Sequence, residues 1–246
     1  MSKYDFSTTT FSDEGRLHQV EYAIKAVATA PTILAVNFNS QILIAAHKRI
    51  PALFAQKRTE KLLQLDKSVY IAVSGVLSDA NVLIEEGRLF AQEYFQERGQ
   101  RVPLQRLSVH MADIMQTATQ YGGLRPYGVG ALLLGAEGIY QIDPSGNVAK
   151  WQAAAVGKAS GDVNAKIKQL IKDGITDVAQ LKKIGVQSLS KGVEKEDLNK
   201  NGVELALISF DKYQGSIEYI NDDEIEQICK QVIEDGDREE DNENSK

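Results

Sequence analysis

The chain has 246 residues, 43% hydrophobic and 25% charged, with 19 glycines, 5 prolines and a single cysteine. That composition excludes collagen-like, mucin-like and wholly disordered chains, and the length suffices for a real core. The formal charge is −6, yet residues 221–246 hold 11 acidic and 3 basic side chains, so the preceding body is almost neutral. The N-terminal residues 1–16 are too polar for a signal peptide, and no apolar run approaches the ~20 residues that span a bilayer. Leu17, Val20, Ile24 and Val27 recur at helical spacing and predict a helix over 15–29, stopped by Pro31. Two strand-like runs follow, 32–38 and 41–48, joined as a hairpin at Asn39-Ser40, and a third strand is predicted over 69–74.

After Gly75 the period changes. A helix capped by Ser78 or Asp79 is expected to run to Arg98, with Gly99 as its stop. A second helix is predicted over 104–120, its face carrying Leu104, Leu107, Met111, Ile114, Met115 and Ala118. Val129–Leu134 is almost continuously apolar, as a strand buried on both faces should be. Strands 138–142 and 148–156 flank Asp143-Pro144-Ser145-Gly146-Asn147, a strong turn signature. Helices are predicted over 161–172 and 176–189, strands over 203–210 and 216–219, and a last amphipathic helix over 222–233. From Asp235 to Lys246 there is no aliphatic or aromatic residue, so a disordered acidic tail is expected. Blocks of strands separated by helix pairs imply two stacked antiparallel sheets covered by helices, in one domain of residues 1–234.

Chemistry is sparse. His18, His47 and His110 show no metal-ligand spacing, and Cys229 alone builds neither a thiolate site nor a disulfide, so no metal or cofactor is expected and a reducing compartment is. The glycine-rich stretch Gly122–Gly130 follows a helix and precedes a strand, the reverse of a phosphate loop, and reads as a tight turn with positive-φ glycines. Arg125 and Tyr127 are placed to brace neighbouring backbone there. Gly-x-Ser-x-Gly is absent. No basic stripe or aromatic platform marks a nucleic-acid surface, and no segment marks a membrane.

The phrase FSDEGRLHQVEYA over 11–23, preceded by Tyr4-Asp5, resembles the N-terminal signature of α-type subunits of the 20S proteasome. GVLSDANVL over 75–83, TQYGGLRPYGV over 119–129 and the Asp143–Asn147 turn are similar to that family's later junctions, in order. The resemblance implies an α+β fold, the four-layer αββα sandwich of N-terminal-nucleophile hydrolases, with a helical N-terminal extension. It implies a non-catalytic subunit of an outer seven-membered ring, serving ATP- and ubiquitin-dependent degradation in cytoplasm and nucleus. Partners implied are neighbouring α-type subunits, β-type subunits, regulatory-particle ATPases or other activators through their C-terminal tails, and unfolded polypeptide substrates. The acidic tail, Asp13 and Asn81 suggest a eukaryotic paralogue.

The same resemblance gives residues roles. Residues 1–14 form a gate segment; its Tyr4 and Asp5, together with Tyr22 of the following helix, match the open-gate cluster, and Asp13 stands where the family has a proline. Lys61 matches the lysine of the activator-tail pocket, and Tyr121, Gly122 and Gly123 match the turn lining the pore annulus. The alternative is a self-processing N-terminal-threonine hydrolase. Aligning the 41–47 strand with the catalytic relatives puts Pro31 near the nucleophile and His47 at the aspartate, leaving Thr32 adjacent and embedded in the chain.

Overall fold

The computed structural model describes residues 9–49, 53, 61–172, 174–211 and 214–244, the side chains of 239–244 excepted. Helix α1 (His18–Thr29) is followed by the hairpin β1 (Ile33–Phe38) and β2 (Gln41–His47), then β3 (Leu62–Asp66) and β4 (Val69–Gly75). The long pair α2 (Leu77–Arg98) and α3 (Leu104–Gln120) leads to β5 (Val129–Gly135), β6 (Gly138–Ile142), β7 (Val148–Trp151) and β8 (Ala153–Val156). Helices α4 (Ser160–Ile171) and α5 (Val178–Leu189), strands β9 (Val203–Phe210) and β10 (Gly215–Tyr219) and helix α6 (Asp222–Asn244) complete it.

The strands form two antiparallel sheets, ordered β10-β9-β2-β1-β8 and β3-β4-β5-β6-β7. Side-chain alternation sorts the apolar residues into three layers. Ile33, Ala35, Ile42 and Ile44 meet Tyr70, Ala72, Leu132 and Leu134 between the sheets. The opposite faces carry Leu34, Val36, Leu43 and Ala45 against Val163, Leu181 and Ile225 of α4, α5 and α6. On the far side Ile71, Val73, Ala131 and Leu133 pack on Leu83 of α2 and on Leu107, Met111 and Met115 of α3. Both faces of the central strands are buried, which is why their sequences run apolar without alternation. The result is the expected four-layer αββα sandwich.

Several boundaries differ from the sequence expectation, each for a local reason. Helix α1 starts at His18, not Gly15, because residues 12–16 close a turn: Ser12 N–H bonds Arg16 O at 2.9 Å and Gly15 takes φ +74°. Strand β3, Leu-Leu-Gln-Leu-Asp, is too short to show a period and has no counterpart in the sequence expectation; its register shifts between Gln64 and Asp66. The single strand expected over 148–156 is two strands in different sheets. Gln152 makes the crossing, its carbonyl accepting from Asn37 N–H at 2.9 Å. Nor does α6 end at Ile233: the helix continues to Asn244, where a disordered tail from Asp235 is expected. Lys183 on α5 pairs with Asp235 at 2.7 Å, and Lys195 pairs with Asp237 at 2.7 Å, so the first acidic turn past the apolar stripe is tied to the body.

Candidate functional site

The candidate site gathers where α1 meets the turn between α3 and β5. Arg16 bridges back to Glu21 with both carboxylate oxygens engaged, which holds that carboxyl below its usual range and fixes the entry to α1. Asp13 lies in this entry turn, exposed. Tyr22, in the first turns of α1, is 47% exposed with its ring centroid 6.3 Å from that of His18. The other two expected gate residues, Tyr4 and Asp5, lie outside the described residues. On the buried side of α1, Val27 lies against Gly130, so the helix rests on the strand into which the turn leads.

The turn itself is built by a charge pair that the sequence does not announce. Asp79, expected as a helix cap, does not cap α2; Val76 occupies that position without a side-chain cap. Instead both Asp79 carboxylate oxygens accept from the Arg125 guanidinium, at 2.5 and 2.6 Å, and Oδ2 also accepts from Gly128 N–H at 3.0 Å. The Arg125 hydrogen bonds hold the Asp79 carboxyl below its ordinary value, with burial opposing. Val76 N–H bonds Gly128 O at 2.9 Å, so the start of α2 and the end of the turn are stitched together. From this base Tyr121 projects at 62% exposure, and a side chain added at Gly122 or Gly123 would meet nothing within 4 Å. Gly123 takes φ +87°, a conformation that β-carbons disfavour. The expected annulus residues thus form a bare, outward backbone loop on a rigid base.

Lys61 sits differently from a solvent-facing lysine. It is buried, and its Nζ donates to His47 O at 2.9 Å. Burial lowers its pKa to about 8, partly offset by Glu204. The His47 imidazole is likewise buried, its Nε2 3.5 Å from Asp197 Oδ2, and burial lowers its pKa while Asp197 opposes and Arg49 and Lys61 add to the shift. A consequence is pH-dependent stability. A histidine with a depressed folded pKa gives stability that is full above its unfolded value near 6.5 and declines as pH falls below it. Urea unfolding of the full chain should therefore show falling stability from pH 7.5 to 5.5, with a shallower fall in His47→Gln; an unchanged slope in the variant would refute this.

Thr32 has no geometry for nucleophilic catalysis. Its side chain is fully buried, its hydroxyl donates to Lys158 O at 2.6 Å, and its carbonyl accepts from His47 N–H at 2.8 Å. Its nitrogen is acylated by Pro31, whereas such a nucleophile needs a free α-amine as base. Pro31 in turn is held by Ser74, whose hydroxyl donates to its carbonyl at 2.8 Å.

A family model described as "Proteasome subunit" matches residues 27–208, and a second, describing the N-terminal signature of A-type proteasome subunits, matches residues 4–26. The chain belongs to the proteasome subunit family, as an alpha-type member. Among relatives, proteasome subunit α type-4-2 of Oryza sativa subsp. indica is 35% identical over 224 residues, 88% of this chain and 89% of the relative. Proteasome subunit α type-4 of Drosophila melanogaster is 38% identical over 216 residues, 84% and 82% of the two chains. A protein named probable proteasome subunit α type-3 of Schizosaccharomyces pombe is 37% identical over 215 residues, 85% and 86%. As an alpha-type proteasome subunit the chain is a non-catalytic member of its complex. The signature match covers the entry turn and most of α1.

Proposed function

We propose that the chain occupies the outer seven-membered ring of a proteasome core particle, where it helps gate the entry of unfolded polypeptide and docks activators in ATP- and ubiquitin-dependent degradation. Tyr22 and Ile24, 47% and 44% exposed on α1, carry this reading. Two positions apart on a helix, these side chains point to different sides, so α1 leaves apolar surface on either flank of its buried stripe, as a helix set between its own sandwich and another chain would. The neighbouring α-type subunit covers part of that surface, and the 121–123 loop lines the axial opening.

In this reading Tyr4, Asp5, Asp13 and Tyr22 hold the N-terminal segment turned away from the pore. Asp13 gives the cluster a second carboxylate in place of a fixed-φ proline. Lys61 receives the C-terminal carboxylate of an activator tail by turning its ammonium away from the His47 carbonyl. A pKa of about 8 keeps it largely protonated at neutral pH, so the contact is charge-assisted. Cytoplasm and nucleus are the compartments that fit this role.

Native mass spectrometry of the tagged chain isolated from its own cells tests the assignment. The expected result is a barrel-sized assembly containing this chain uncleaved, with six other α-type chains and separate β-type chains. A small free species, or a chain beginning at Thr32, would overturn it.

A further inference from the structure

On the opposite side of the sandwich from α2 and α3, a cavity of about 470 Å³ opens between α4 and the crossing from β7 to β8. Its origin is compositional. Ala153 and Ala154 on β8 and Ala165 on α4 line it, and three small side chains leave the space that larger ones would fill. Trp151, the only tryptophan of the chain, forms one wall and is 49% exposed on the last strand of its sheet. Ile171 of α4 faces it across the cavity, itself half-buried. A tryptophan left half in water beside such a hollow forfeits burial that aromatic side chains usually realise.

Charge marks one rim. Lys168 in the last turn of α4 and Lys172, the residue that caps its C-terminus, are both exposed, and neither joins an ion pair with another described residue. The edge of β8 is not free to add a strand, because Ala155 N–H is already bonded to Asn164 Oδ1 at 2.9 Å. An occupant is therefore held by side chains, not by extending the sheet.

We propose that this groove docks a peptide segment of a partner protein in which a bulky apolar residue is flanked by carboxylates. The apolar side chain enters between Trp151 and Ile171, over the alanines, and the carboxylates meet Lys168 and Lys172. A free polyanion would engage the lysines but leave the apolar hollow empty. A purely apolar segment would leave both ammoniums without partners. Only the combination uses both features, in the arrangement of an apolar anchor with a charged rim.

Trp151 supplies the readout. The full-length chain is titrated with the synthetic peptide acetyl-Glu-Asp-Phe-Asp-Leu-Glu-amide and with the version in which every acidic residue is lysine. The acidic peptide should give a saturable blue shift of tryptophan emission, and the lysine version none. Charge reversal in K168E/K172E should weaken the response by about tenfold or more; both side chains are exposed, so the fold, checked by circular dichroism, should be unchanged. No saturable shift, an equal shift with the lysine peptide, or indifference to charge reversal would overturn the proposal. So would one further result. If Lys168 and Lys172 react with an amine-acylating reagent in the free chain but not in the assembled particle, the groove is a contact between subunits.

Discussion

Gly75→Ala is expected to cost more than about 4 kcal/mol of folding stability, the range reached when a substitution collides with fixed backbone. Gly75 closes β4 at φ +126°, and a β-carbon there would lie 2.1 Å from Gly128 O and 3.0 Å from Val129 Cα. Neither atom belongs to a side chain that can rotate away. Relief requires parting β4 from β5 where Gly75 and Val129 are register partners, and it would strain the Val76 N–H to Gly128 O bond that anchors the start of α2. Gly99→Ala is the control. Gly99 also has positive φ, at +65°, but nothing lies within 4 Å of an added β-carbon, so only the conformational cost of about 1 kcal/mol applies. Urea denaturation of both variants and the parent decides the matter, and equal losses at the two glycines would refute the backbone-collision argument.

Legibility in the sequence follows how local the determinants are. Helix α3 is expected and found at Leu104–Gln120, because six apolar residues on one face and a glycine turn after it specify a helix without outside help. The buried strands are legible from continuous apolar runs, and two such blocks separated by helix pairs imply the stacked sheets. The crossing at Gln152 is not legible, since a change of sheet leaves residues extended on both sides and alters only which neighbour they bond. The continuation of α6 past its apolar stripe brings Asp235 and Asp237 against Lys183 and Lys195, partners far from that turn in sequence. For the site, sequence motifs point to Tyr22, Lys61 and the 121–123 glycine turn. They carry no sign that Lys61 is buried on the His47 carbonyl, a tertiary fact. Asp79 shows the same limit. Its place at a helix start suggests a cap, yet Arg125, 46 positions on, claims both its oxygens.

That pair gives the second large effect: Asp79→Ala should cost about 2–3 kcal/mol and loosen the turn that carries Tyr121, Gly122 and Gly123. The Arg125 side chain is 64% exposed, so losing its partner returns the guanidinium to water and the ion pair as such contributes modestly. The larger loss falls on Gly128, whose N–H sits in a buried hydrogen bond and would have no acceptor; an orphaned buried donor costs about 1–3 kcal/mol. Asp79→Asn keeps an oxygen for Gly128 but cannot accept both arms of Arg125, so it should fall between the parent and the alanine variant. The linkage has a definite sign. Because the folded Asp79 pKa is depressed, its stabilisation is present above the ordinary carboxylate range and is lost as pH falls through the folded value. The Asp79→Ala/Arg125→Ala cycle should be non-additive, since the two side chains share one set of bonds. Hydrogen exchange supplies the local readout: amides of 121–128 should exchange faster in Asp79→Ala while those of β1 and β2 keep their protection. Additive losses, or exchange rising evenly across the sandwich, would mean that Asp79 supports the core at large and not the turn.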